Sequence, residues 1–446
     1  MSQSHNSRAY LSVLGASLAF FCTTGYLNAW GLFQDHYKAN QLHDHSESEI
    51  AWIGSVAIFL LYALAPVAGI LVDRVGPTKL LCLGSSGYLL AIFMTSLCSQ
   101  YYQFFLAQSL LLGLSMPFIS WPPVGVVSRH LPHRRGLALG LVIGGSSLGG
   151  IIWPITLDKL LNYHHVSFGW TMRTFGFITL PCLLIACFTV REAPRVATTP
   201  APAPASSDAD ETTNPVTDTP AIEASEKPSD QPASGVLAML KSKTFIYLAI
   251  GLAIGYLGMF APFFYVSSYA SQLGQPSDVS FSMISAINAA SFVGRVVPGH
   301  IADTYGHYNI LILALFTSGV VGFCWTAIVN LAGLVIWSLA YGFTSGAVMS
   351  LQGASVGKIA THESQGTAMG LLMGSMAITS LVGSPIGGQL VGTYGYLALS
   401  MFTGATLVVG AIFTTLARVS RKSHPAPGRD YLDRWRRMRS AAAYYN

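Results

Sequence analysis

Charge is what this sequence lacks most. Only 10% of its 446 residues are Asp, Glu, Lys or Arg, against roughly a quarter in ordinary soluble domains. So little charge cannot cover a folded surface, which excludes a soluble multidomain protein. Disulfide and metal spacing are missing too: Cys22, Cys82, Cys98, Cys182, Cys187 and Cys324 lie in or at the ends of apolar stretches without pairing, and read as packing residues. There is no phosphate-binding glycine loop, no nucleophile–base–orienting spacing and no pair of His or Asp at membrane depth. No catalytic residue, metal, cofactor or nucleic-acid partner is therefore assigned, and an enzyme is not expected.

What is present is apolarity, 52% of the chain, gathered into stretches of about 20 residues, enough to cross a hydrocarbon core roughly 30 Å thick. They fall at 10–33, 50–72, 79–98, 103–127, 135–157 and 170–190, then at 244–272, 279–302, 308–328, 332–356, 365–392 and 395–417. The first resembles a signal peptide only superficially, since its apolar run is too long and has no cleavage site in the right place. The pattern predicts an all-α membrane protein with twelve transmembrane helices in two pseudo-symmetric six-helix bundles, residues 1–190 and 236–418. Between them, 191–235 is crowded with Ala, Pro, Ser, Thr and acids, a composition that cannot bury enough apolar surface to fold. It predicts a disordered linker, and 419–446 a basic tail. Alternating the loops puts Arg74, Lys79, Arg129, Arg134, Arg135, Lys241, Lys243, Lys358 and Arg418 on the side of both termini, with only Lys38, Lys159 and Arg173 opposite. The positive-inside tendency makes the first side cytoplasmic. There Arg434, Arg436, Arg437 and Arg439 could also meet anionic lipid.

One loop occurs twice. Gly69-Ile-Leu-Val-Asp73-Arg74-Val-Gly76-Pro77-Thr-Lys79 follows the second stretch, and Gly299-His-Ile-Ala-Asp303-Thr-Tyr-Gly306-His307 follows the eighth, six spans later. The small residue permits close helix approach, the Asp can cap or pair at a helix end, and the following Gly allows a tight turn. In these loops the chain resembles the major facilitator superfamily, nearly throughout its length outside the linker. Gly25-Tyr-Leu-Asn28-Ala-Trp30-Gly31, His133-Arg134-Arg135-Gly136 continuing through Gly144-Gly145-Ser146-Ser147-Leu-Gly149-Gly150, and Gly383-Ser-Pro385-Ile-Gly387-Gly388 are similar to fungal members of its monocarboxylate-porter family. The resemblance implies two bundles rocking about a midplane site, a secondary transporter of a small organic anion, a monocarboxylate with protons as the candidate coupling ion, acting as a monomer in the plasma membrane or an internal one. It also implies gating residues in Gly69, Asp73, Arg74, Gly76, Lys79, Arg135, Gly299 and Asp303. Because Asp303 is followed by Thr304 rather than Arg, the charge network is weighted to Asp73, Arg74 and Lys79.

For the substrate, Arg295 is the one Lys or Arg well inside a span, and a cation there is costly unless it meets a partner or a watery cavity. The resemblance implies that it holds a carboxylate, which a guanidinium can do with two parallel donors; pairing with Asp303 is the bland alternative. The family's Asp one turn earlier is Ser291 here, and its first-span Lys aligns with Asn28, so the usual proton relay is incomplete. Tyr256, Tyr341, Phe343 and Trp121 stand in spans seven, ten and four, which line the cavity of the implied fold and could hold a flat solute. These aromatics keep open a larger vitamin-like or secondary-metabolite substrate; a non-transporting nutrient receptor of the same fold is a third reading. Pro262 interrupts span seven as a candidate hinge. His36, His43 and His45 fit no metal site and read as solvated. The glycines of spans five and eleven are expected where the halves slide.

Overall fold

The computed structural model describes residues 2–191, 238–360 and 365–422, and every regular element among them is helical. The predicted linker beyond Arg191 and the tail beyond Lys422 fall outside these residues. The helices form twelve rods: α1 (Ser2–Cys22, continued by Thr24–Asn28 and Trp30–Ala39), α2 (Glu47–Ala63 and Ala65–Val75), α3 (Pro77–Thr95), α4 (Tyr101–Phe104, a π-helical Phe105–Leu111 and Leu112–His130), α5 (Arg135–Asp158), α6 (Phe168–Thr189), α7 (Lys243–Met259 and Ala261–Gln272), α8 (Ser277–Tyr305), α9 (His307–Phe323), α10 (Leu331–Val356), α11 (Gln365–Gly374 and Ala377–Tyr394) and α12 (Tyr396–Lys422). By length and apolarity nine of these helices can cross a membrane, and the two pieces of α2, bent by 42°, make a tenth. The last two fall short for separate reasons. α9 has only 17 residues, and α8, despite its 29 residues, is not among the sufficiently apolar spans.

Local chemistry sets where the rods begin and end. Ser46 and Glu49 form a reciprocal cap on α2, the Glu49 N–H donating to Ser46 Oγ at 3.2 Å and the Ser46 N–H to Glu49 Oε2 at 2.9 Å. Asn330 caps α10 by accepting the Gly333 N–H at 2.7 Å. α2 and α8 end alike, on Gly76 at φ +90° and Gly306 at φ +95°, a backbone region that residues with a Cβ avoid. Each glycine leads straight into the next helix. α7 breaks at Phe260, just before Pro262, and the Met259 carbonyl at the break accepts the Tyr341 hydroxyl at 2.8 Å. The hinge predicted at Pro262 thus coincides with a real discontinuity whose carbonyl a neighbouring helix satisfies.

The packing repeats six helices apart. α3 packs on α4 and α6 as α9 does on α10 and α12, and α1 on α6 as α7 on α12. Between the halves the principal contacts are α5 with α8 and α2 with α11. Both seams are made by small residues. A Cβ on Gly136 would collide with the Gly299 backbone, one on Gly140 with that of Arg295, and one on Gly69 with that of Gly366. The glycine expectation needs a correction here, because Gly145 and Gly149 pack on α1 within their own half, and Gly383, Gly387 and Gly388 on α7 within theirs.

Candidate functional site

Call the face where α1 begins and α12 ends the terminal face, and the opposite one the distal face. At the terminal face the halves are bound by reciprocal carboxylate caps. Asp73, near the end of α2, accepts the backbone N–H of Thr367 at 2.8 Å and its hydroxyl at 2.9 Å, both through Oδ2, in the first turn of α11. Asp303, near the end of α8, accepts the N–H groups of Gly136 at 2.7 Å and Leu137 at 3.0 Å in the first turn of α5. These are N–H groups a helix cannot satisfy internally, and a carboxylate also suits the positive end of the helix dipole. Asp73 further pairs with Arg129 at 3.2 Å, and Asp303 lies 3.1 Å from the His307 ring.

The repeated sequence motif is therefore one device used twice. Gly69 and Gly299 bring the rods together, Asp73 and Asp303 cap the facing helix, and Gly76 ends α2. The cation beside Asp73 is Arg129. Arg74 and Lys79 are exposed, and neither pairs with Asp73. Arg135 is buried and crosses the seam, donating to the carbonyl of Gly357 on the α10 side and, at 3.2 Å, to that of Ser128. Just past α10, burial first and then Arg135 and Arg421 push the Lys358 ammonium below its ordinary range.

Away from this seal, towards the distal face, lies a cavity of about 340 Å³ between the halves. Its walls come from α1 (Trp30, Gly31, Gln34, Lys38, Ala39), α2 (Ala51, Gly54, Ser55, Ile58), α7 (Tyr256, Leu257, Phe260, Phe264, Tyr265, Ser267, Ser268), α8 (Ile284) and α11 (Ser380, Gly383, Ser384). A recess of about 30 Å³ shares Gly31, Ile58, Phe260 and Phe264 with it and adds Thr24, Asn28, Tyr62 and Phe263. The broken segments of α1, α2, α7 and α11 thus frame the space.

The anticipated substrate residues separate into two groups. Tyr256 lines the cavity, its ring meeting Tyr62 edge-on at 5.8 Å and its hydroxyl donating to Gln352 Oε1 at 2.9 Å. Asn28 borders the recess and donates to the Ser146 carbonyl and to Asn288 Oδ1, both at 3.2 Å. The others line neither space. Arg295 is 1% exposed; its guanidinium donates to the Ile143 carbonyl at 2.8 Å and Ser146 Oγ at 2.5 Å, and contacts Met349 Sδ at 2.9 Å. It thus ties α8 to α5 and α10. Among the described residues no carboxylate pairs with it, and Asp303 is engaged elsewhere. Ser291 is buried with its hydroxyl unpartnered. Trp121 sits behind Tyr62, donating to the Leu61 carbonyl at 2.9 Å. Tyr341 stacks on Trp337 at 5.4 Å, and Phe343 is 38% exposed on the outer surface.

Sequence reasoning passed over Trp30, Gln34, Lys38, Ser380 and Ser384. Lys38 looked like a loop charge because α1 was expected to end near residue 33, whereas the helix continues to Ala39. Among the described residues no group of His, Cys, Asp and Glu is placed to hold a metal. His36 stacks on Phe168 at 5.4 Å, and His45 pairs with Glu49 at 3.2 Å.

Comparison with known proteins follows the same lines. The family model described as Major Facilitator Superfamily matches residues 11–331 and 283–444. An MFS-type transporter of Aspergillus fumigatus is 52% identical over 425 residues, covering 94% of each chain. The agnestins efflux protein of Paecilomyces divaricatus is 42% identical, covering 93% of this chain and 88% of its own. The aspyridones efflux protein of Emericella nidulans is 34% identical, covering 93% and 78%. Among solved structures, the human organic anion transporter MFSD10 superposes with a TM-score of 0.64 at 16% identity over 92% of this chain and 98% of its own. The Escherichia coli fucose:proton symporter gives 0.62 at 14% identity over 90% and 98%. At such identities these two structures speak for the fold alone.

Proposed function

The chain belongs to the Major Facilitator Superfamily, and from that premise we propose that it is a secondary transporter exporting an organic secondary metabolite by alternating access. The observation that carries this reading is the company the sequence keeps: relatives aligned over nearly its whole length are named as efflux proteins for agnestins and aspyridones. The cavity supports it physically. At about 340 Å³, with Trp30, Tyr256, Phe260, Phe264 and Tyr265 in its walls, it suits a ring-bearing solute better than a compact monocarboxylate. Arg295, on which the monocarboxylate expectation rested, spends its donors on the Ile143 carbonyl and Ser146 Oγ, keeps an unpartnered Nε, and lines neither the cavity nor the recess.

In this reading the terminal face is cytoplasmic and the structure is the outward-facing state, sealed on the cytosolic side. The caps of Asp73 and Asp303, with Arg135, form the cytosolic gate and must open to admit substrate. Rocking then exchanges that seal for closure over the cavity. The test compares producing cells with and without the gene by untargeted mass spectrometry. Deletion should raise the cell-to-medium ratio of one metabolite family and leave uptake of simple carboxylates unchanged. An unaltered metabolite partition with impaired carboxylate uptake would overturn the proposal.

A further inference from the structure

Resting on the export reading, a more specific property follows from the cavity's charge. Of the side chains lining it, Lys38 alone carries a formal charge among the described residues, and no Asp or Glu joins it. Its ammonium donates to the carbonyls of His43 at 3.1 Å and His45 at 2.7 Å. Those acceptors are neutral. The described carboxylates that follow it, Asp44 in the loop and Glu49 in the first turn of α2, lie against His43 and His45 instead, each at 3.2 Å. An ammonium has three donors and two are used, so a fixed cation at the distal end of α1 retains a donor without a described counter-charge.

The opposite wall offers ring faces. Phe260 and Phe264 lie 6.3 Å apart at 44°, both bordering cavity and recess. A cation without a described counter-ion and ring faces on the other half of the molecule describe one ligand chemistry.

We infer that the cavity selects planar aromatic acids, the acid oxygen held by Lys38 and the ring laid against Phe260 and Phe264, so that Lys38 is the specificity-determining residue. Arg295 lines neither the cavity nor the recess. A charge-assisted hydrogen bond in a half-buried site is worth roughly tenfold or more in affinity over a neutral one.

The experiment uses the full chain in lipid nanodiscs at pH 7.5 and two probes of nearly equal shape, 1-hydroxy-2-naphthoate and its amide, titrated by calorimetry. Wild type should bind the acid at least tenfold more tightly. Lys38→Gln should abolish that preference by weakening the acid alone, Lys38→Arg should restore it, and Phe264→Leu should weaken both probes alike. Melting curves check that each variant is folded, and the wild-type acid-to-amide ratio decides the matter even where Lys38→Gln misfolds. Equal binding of the two probes by wild type, or a preference that survives in folded Lys38→Gln, overturns the inference. If neither probe binds while gene deletion still traps a metabolite, the inference falls and the export reading stands. A Lys38-dependent preference without an export phenotype supports the inference and sinks the export reading.

Discussion

Replacing Asp303 by Asn tests the seal at the terminal face through a single atom. The carboxylate accepts two first-turn N–H groups of α5, at 2.7 and 3.0 Å, from the other half of the molecule. Asn keeps the shape but removes the charge and leaves one accepting oxygen. Bonds to charged groups contribute about 1.5–3 kcal/mol each, and a charged cap at a helix start about 0.3–1 kcal/mol beyond that. Since the amide oxygen retains one bond, we take the loss as about 2 kcal/mol, which changes the open-to-sealed ratio roughly thirtyfold. An open population near one part in a hundred would rise to about a quarter. Spin labels at Val75 and Tyr305, both exposed near the terminal face on opposite halves, report that ratio by electron–electron resonance in a background without the six native cysteines. Wild type should give one dominant short distance, and Asp303→Asn a second, longer one. An unchanged distribution in a folded variant would show that the cap does not hold the seal.

Asp73→Asn should act in the same direction at the α2–α11 seam, where Thr367 loses its charged acceptor; the same spectroscopy checks it. Gly69→Leu, which drives a side chain into the Gly366 backbone, should prevent the seal from closing and stop turnover in vesicle transport while the protein still inserts. Arg295→Ala should lower the melting temperature, because it cuts the tie from α8 to Ile143 and Ser146. Yet it should alter the affinity of a neutral cavity ligand less than about threefold, the range left to indirect effects; a larger loss would place Arg295 in the binding site. Tyr341→Phe frees the Met259 carbonyl at the break in α7 and should cost about 1 kcal/mol, read as a modest fall in thermal stability.

The membrane fold was legible because it depends on composition over long windows, which one sequence supplies fully. Ten helical crossings meet simple length and apolarity limits, and α8 and α9 do not. The repeated Gly-x-x-x-Asp pointed to close helix approach and to a capping or pairing role for each carboxylate at a helix end, since these are local demands. Their partners were not legible: nothing in the sequence links Asp73 to Thr367, 294 residues away. Arg295 shows the limit of reasoning from a scarce residue. Its burial was predictable, but whether it faces a cavity or a neighbouring carbonyl depends on how two helices rotate against each other. Lys38 was obscured by the opposite error, because a charge near the end of an apolar run looks like a loop until the helix is seen to continue to Ala39.

The most direct measurement of the central claim is transport into inside-out vesicles prepared from membranes containing the protein. Supplied with an extract of the producing organism and an imposed proton gradient, vesicles with wild type should accumulate one family of ring-bearing metabolites, and vesicles with Gly69→Leu should not. Accumulation of nothing above control vesicles, or equal accumulation by the Gly69→Leu protein, would contradict an exporter working through this cavity and this seal.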